Sequence, residues 1–156
     1  MPEIFLDGAA RLLVLLHGLA AIVLIGATTH HAIIAVGYLR GKRKVRLGRI
    51  YGATIAVTYA ITFVFGLLAY PTFRYHTRAL YLDRYERWAS NLFDMKENFA
   101  ALGIPLVIAI FVLSRRMNPA EDKLLVGPYV GFSLLTAAIV WFSVISGLLI
   151  TMTRGV

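Results

Sequence analysis

The sequence predicts an all-α integral membrane protein: four transmembrane helices in an antiparallel bundle, with an amphipathic interfacial helix between spans two and three. Hydrophobic residues fill 59% of its 156 positions, against about 45–50% in a soluble domain. The excess is gathered into blocks, and a block of roughly 20 apolar residues is long enough to cross a bilayer. Short basic or polar segments separate the blocks, so successive spans reverse direction within one domain, 1–156, with spans at about 9–39, 50–70, 95–114 and 127–153.

The chain opens with MPEIFLDGAAR, in which Glu3 and Asp7 stand where a cleaved signal would carry lysines. The first apolar block is therefore expected to be retained. It runs from Arg11 to Leu39 and holds three of the four histidines, His17, His30 and His31. At about 100° per residue, His17, Ala21, Leu24, Thr28, His31 and Ala35 fall in one band, while Gly26, His30 and Gly37 fall opposite. A histidine facing lipid leaves ring nitrogens unsatisfied in hydrocarbon. Polar or small residues on both sides thus predict a helix near the centre of the bundle, its glycines admitting a close neighbour.

The segment RGKRKVRLGR, residues 40–49, carries six basic residues and no acid, the pattern of a cytoplasmic loop. Both termini then lie outside, although nine basic residues on one side against seven on the other is a modest bias. Span two, residues 50–70, presents Tyr51, Thr54, Thr58 and Thr62 at helical spacing. Threonines return a hydrogen bond to the carbonyl one turn back, so the stripe reads as helix–helix contact, or alternatively as a water or proton path. Pro71 is expected to end this helix.

Residues 72–97 form the one substantial segment outside the apolar blocks. Tyr81, Tyr85, Trp88 and Leu92 repeat at 4, 3, 4, as on an amphipathic helix with its aromatics at headgroup depth. The apolar run of span three, Phe99 to Leu113, has only 15 residues, about 22 Å at 1.5 Å per residue. Crossing about 30 Å of hydrocarbon requires local thinning, or recruitment of residues 95–98. Gly103 and Pro105 are expected to kink this span. After a polar turn at 114–123, Pro128 suits the first turn of span four, whose Ser133, Thr136, Ser143 and Gly147 read as a small-residue contact face.

Composition removes several function classes. With no cysteine, disulfides, iron–sulfur clusters and thiolate zinc sites are excluded. The net charge of +8 sits in the connections between spans rather than on an aromatic-interleaved face, which argues against nucleic acid. No nucleophile triad, phosphate loop or paired-carboxylate signature occurs at working spacing, so no catalytic activity of its own is expected.

Two constellations remain. The histidines are candidate ligands for haem b or a chlorophyll-type pigment. His17 and His31 are 14 residues apart, about 21 Å along one helix, and cannot grip one ring. His76 is the one intrachain partner for His17, while His30 and His31 could serve a cofactor shared with another subunit or hydrogen-bond to Thr28 or Tyr51. No metal beyond haem iron is expected, since adjacent His30 and His31 diverge by about 100°. The second constellation is Asp94, Lys96 and Glu97, a proton or quinone-headgroup site or an ion-paired anchor using Arg74 or Arg78. If functional, Glu97 carries the proton and His17 is its titratable companion. Together these features predict a small accessory subunit of a bacterial respiratory or photosynthetic electron-transfer complex, partnered by the bilayer and other inner-membrane subunits. A stand-alone haem-b or quinone-site carrier and a homo-oligomeric proton or ion channel or small transporter are the alternatives.

Overall fold

The computed structural model describes residues 4–154, and among them every regular element is helical. Four long helices dominate: α1 (Ala10–Leu39), α2 (Val45–Thr72), α4 (Arg87–Arg116) and α5 (Lys123–Thr153), with a single turn, α3, at Asp83–Tyr85. Each long helix contains a window apolar enough to cross a membrane, with mean hydropathy between 1.9 and 2.2. The chain reads as a multi-pass membrane protein. Glu3 lies outside the described residues; Asp7 sits in a short 3₁₀ turn before α1.

Packing joins the helices in a ring: α1 lies against α2 and α5, and α4 against the same two. Along α1 and α2, His17 meets Gly66 and Tyr38 meets Gly48. Between α2 and α4, Gly52 meets Ser114, and the Tyr59 hydroxyl donates to the carbonyl of Ala100. Across α4 and α5, Phe99 stands edge-on to Phe142 at 5.2 Å. Closing the ring, His31 bonds Tyr129 of α5. Two buried clusters fill the middle, one around Tyr38, Ile110 and Tyr129, the other around Leu24, Ile55 and Tyr59. A third, Leu82, Ala89 and Ile150, closes the end beyond them.

The ring corrects the central placing of the first helix. Leu24, Thr28, His31 and Ala35 of the His17 band are buried, but the other side of α1 is exposed through Leu12, Leu15, Leu19, Ile22 and Ile33. His30 lies on that outer side. Four helices packed pairwise leave each one an outward face, and small residues there do not imply a neighbour. Space around Gly18 and Gly26 is open; the close approaches occur instead at Gly48, Gly52, Gly66 and Gly103.

The structure also revises the helix ends. Pro71 lies inside α2 rather than ending it, and the chain continues as a π-helix over Phe73–Leu82. Pro71 gives no hydrogen bond to the carbonyl four residues back, and a local shift to wider turns is one way a membrane helix absorbs that loss. The expected single amphipathic helix over 72–97 divides at Glu86, whose φ of −136 and ψ of 58 break the helical path. Its aromatic ladder is split accordingly. Tyr81 and Tyr85 stay on the arm that prolongs α2, with ring centroids 5.5 Å apart, whereas Trp88 and Leu92 belong to α4.

α4 is consequently not short. Its 30 residues measure about 45 Å, and residues 95–98, Lys96 and Glu97 among them, are part of that continuous helix. α5 likewise begins before Pro128, which stands inside the helix. Along the threonine stripe, Thr54, Thr58 and Thr62 each donate to the carbonyl four residues back at 2.7–3.0 Å.

Candidate functional site

Between the N-terminal half of α1, the C-terminal half of α2, the start of α4 and the end of α5 lies a cavity of about 750 Å³. Most of its wall is aliphatic or aromatic; His17, Lys96 and Glu97 are its basic and acidic side chains. The sequence could place Lys96 beside Glu97, but their convergence with His17 requires α1 and α4 to face one space.

His17 is held by α2. Its Nδ1–H donates to the carbonyl oxygen of Thr62 at 2.8 Å, since a carbonyl can only accept. Gly66 lets the ring lie this close, because a Cβ there would come within 3.2 Å of it. With Nδ1 protonated, Nε2 keeps its lone pair. An imidazole so fixed can accept a proton or bind a metal centre through Nε2.

Lys96 projects from α4 past an aromatic wall. Phe93 stacks on Phe73 at 4.4 Å and on Tyr70 at 6.0 Å, and the Lys96 ammonium sits 5.6 Å from the Phe93 centroid. Across the cavity it faces Gly147, where a larger residue would meet the Lys96 chain. Glu97 also lines the cavity and is exposed.

Asp94, expected to belong with Lys96 and Glu97, is turned away. It takes the Arg78 guanidinium in two bonds of 2.6 and 2.8 Å, with Asp83 3.7 Å off on the same cation. Among the described residues no carboxylate comes within ion-pair distance of Lys96 and no cation within that distance of Glu97. An ammonium lining an apolar cavity without a salt-bridge partner is unusual, because such a group is normally paired or marks a working site.

Ser143 of α5 adds a polar atom that sequence reasoning assigned to helix contact. Its hydroxyl is buried without a hydrogen-bond partner, and the residue lines the cavity. A membrane-helix serine ordinarily bonds the carbonyl one turn back. The only signal was its place on the small-residue face with Gly147.

The other histidines do not join this site. His76 is on the π-helical arm, exposed, with Nε2 3.3 Å from Asp7; it does not line the cavity and is not brought opposite His17. His30 donates from Nδ1 to the Gly26 carbonyl at 2.8 Å and stacks on Tyr51 at 5.7 Å. His31 meets neither Thr28 nor Tyr51 but the Tyr129 hydroxyl at 2.7 Å, in the other half of the bundle. The Tyr129 ring also stacks on Tyr38 at 5.9 Å, so this polar pair is walled in by aromatics.

No protein-family model, curated protein or solved structure matches the chain.

Proposed function

We propose that the cavity is a quinone-headgroup site in a small, antiparallel four-span subunit of a bacterial electron-transfer complex. The observation that carries the proposal is the convergence of His17, Lys96 and Glu97 on an apolar cavity of about 750 Å³, with Lys96 and Glu97 forming no ion pair among the described residues. A quinone combines a lipid-soluble body with two carbonyl oxygens on a flat ring. The aliphatic wall suits the body, Phe93 and Phe73 offer a surface for the ring, and the Lys96 ammonium and Ser143 hydroxyl can donate to the oxygens. Quinone and quinol differ by two protons and two electrons. Glu97 and His17 can exchange the protons, and a redox centre on a partner subunit exchanges the electrons.

The basic segment 40–49, if cytoplasmic, sets both termini outside and the cavity in the outer half of an inner membrane. Tyr85 and Trp88, both exposed on either side of Glu86, suit the depth where aromatics meet headgroups.

The test is binding of a short-chain quinone to the purified chain, together with analysis of quinone in its solvent extract. Saturable binding that weakens at least tenfold in Lys96→Met, with quinone present in the extract, is the expected result. An extract without quinone and no saturable binding would sink the proposal. Extraction in mild detergent should carry larger membrane proteins along; migration as a bare monomer counts against the subunit role.

His17 favours a second reading, in which the same cavity would take a tetrapyrrole and the His17 imidazole would hold its metal. Its Nδ1–H bond to Thr62 is the orientation of many metal-bound imidazoles. A visible absorption spectrum separates the two, since a tetrapyrrole absorbs intensely in the visible and a quinone only weakly.

A further inference from the structure

At the other end of the bundle, the α1–α2 connection and the α4–α5 connection enclose a second hollow of about 330 Å³. Three cations line it, Lys42, Arg43 and Lys123, set among apolar Leu39, Pro119 and Val126. It is separate from the cavity described above and shares no residue with it.

Local chain geometry builds this hollow. α1 closes with a Schellman turn: Gly41, at φ 74, donates to the Tyr38 carbonyl, and Lys42 donates to the Gly37 carbonyl, both at 3.0 Å. The turn folds the chain back until the Lys42 stem lies beside Gly37, where an added Cβ would come within 3.4 Å of it. On the facing connection Asn118 holds the loop. Its backbone N–H donates to Asp122 and its side-chain amide to Glu121, each at 2.8 Å.

Glu121 and Asp122, the acids of that connection, accept these bonds and do not line the hollow. Among the described residues none forms an ion pair with Lys42, Arg43 or Lys123. Three like charges around one small space repel, and an anion between them relieves that repulsion. Exposed Leu39, Leu124 and Leu125 extend an apolar surface beside the charged hollow. A ligand with an anionic head and hydrocarbon tails matches both halves, and basic pockets at helix ends are known to hold such headgroups.

We propose that this hollow binds the phosphate of an anionic membrane phospholipid. The experiment uses the full chain in a neutral detergent, with lipid retention counted by native mass spectrometry. Phosphatidylglycerol should be retained in preference to phosphatidylcholine and should raise the melting temperature. Replacing Lys42, Arg43 and Lys123 together by Gln should abolish that preference, whereas the charge-matched set Lys44→Gln, Arg46→Gln and Arg49→Gln should keep it. Equal retention of the two lipids by the wild-type chain overturns the proposal, and so does equal loss in both variant sets. Displacement of the lipid by excess inorganic phosphate, with the same melting shift from phosphate alone, would reassign the hollow to a free anion. Should the triple variant fail to fold, Arg43→Glu is read by the same lipid count, and unchanged preference there is equally fatal.

Discussion

Arg78 grips Asp94 through both terminal guanidinium nitrogens, at 2.6 and 2.8 Å, while Glu97, one turn further along α4, forms no ion pair among the described residues. Both carboxylates lie on one helix face, and either could have taken the arginine. The π-helical arm decides between them, because it brings Arg78 level with the turn of α4 that precedes the cavity. The pair also ties the prolonged α2 to α4 below the site.

Asp94→Asn should lower the melting temperature in detergent by a few degrees. A half-exposed bidentate pair is worth on the order of 1 kcal/mol, and about 1 M salt should shrink the difference from wild type. An unchanged melting curve would show that the pair holds nothing in place.

Gly103 and Gly18 should respond in opposite ways to alanine. The Tyr59 hydroxyl occupies the space a Gly103 side chain would need, so Gly103→Ala should destabilise by about 1–3 kcal/mol through overpacking. Around Gly18 nothing lies within 4 Å, and Gly18→Ala should be neutral or stabilise by up to about 1 kcal/mol through helix propensity. Chemical denaturation of both variants checks the contrast; equal effects contradict the helix contacts described.

Tyr129→Phe removes the hydroxyl that meets His31 Nε2, leaving a buried ring nitrogen unsatisfied, and should cost about 1–3 kcal/mol. The double variant His31→Phe, Tyr129→Phe should recover much of the loss, since two apolar partners leave nothing unmet. Additive losses in a double-mutant cycle would mean that the two residues act independently.

If the tetrapyrrole reading holds, His17→Ala should remove the absorption band and His76→Ala should leave it unchanged, because His76 is exposed and paired with Asp7 outside the cavity. A band lost in both variants would require the arm to fold over the site, contrary to the structure.

The apolar segments were legible because a bilayer crossing is a local property, written in runs such as Leu12 to Ile25 that need no knowledge of neighbours. Helix ends were less so. Pro71 reads locally as a stop, yet the chain beyond it finds the start of α4 to lie against, with Leu82 and Ala89 buried together, and continues. His30 and His31 are adjacent and chemically identical in sequence. One faces outward and the other bonds Tyr129, 98 positions away.

By itself the sequence determined four long apolar helices, a basic connection between the first two, and a short list of polar residues able to do chemistry. Only the tertiary structure decided that Asp94 takes the arginine, that His17 rather than His76 shares a cavity with Lys96 and Glu97, and that α1 turns one side outward. The physical reason is range: helix formation and bilayer partition depend on neighbours within a few turns, whereas the His17–Thr62 bond and the Arg78–Asp94 pair join residues on different helical segments, whose meeting is set by how the whole ring packs.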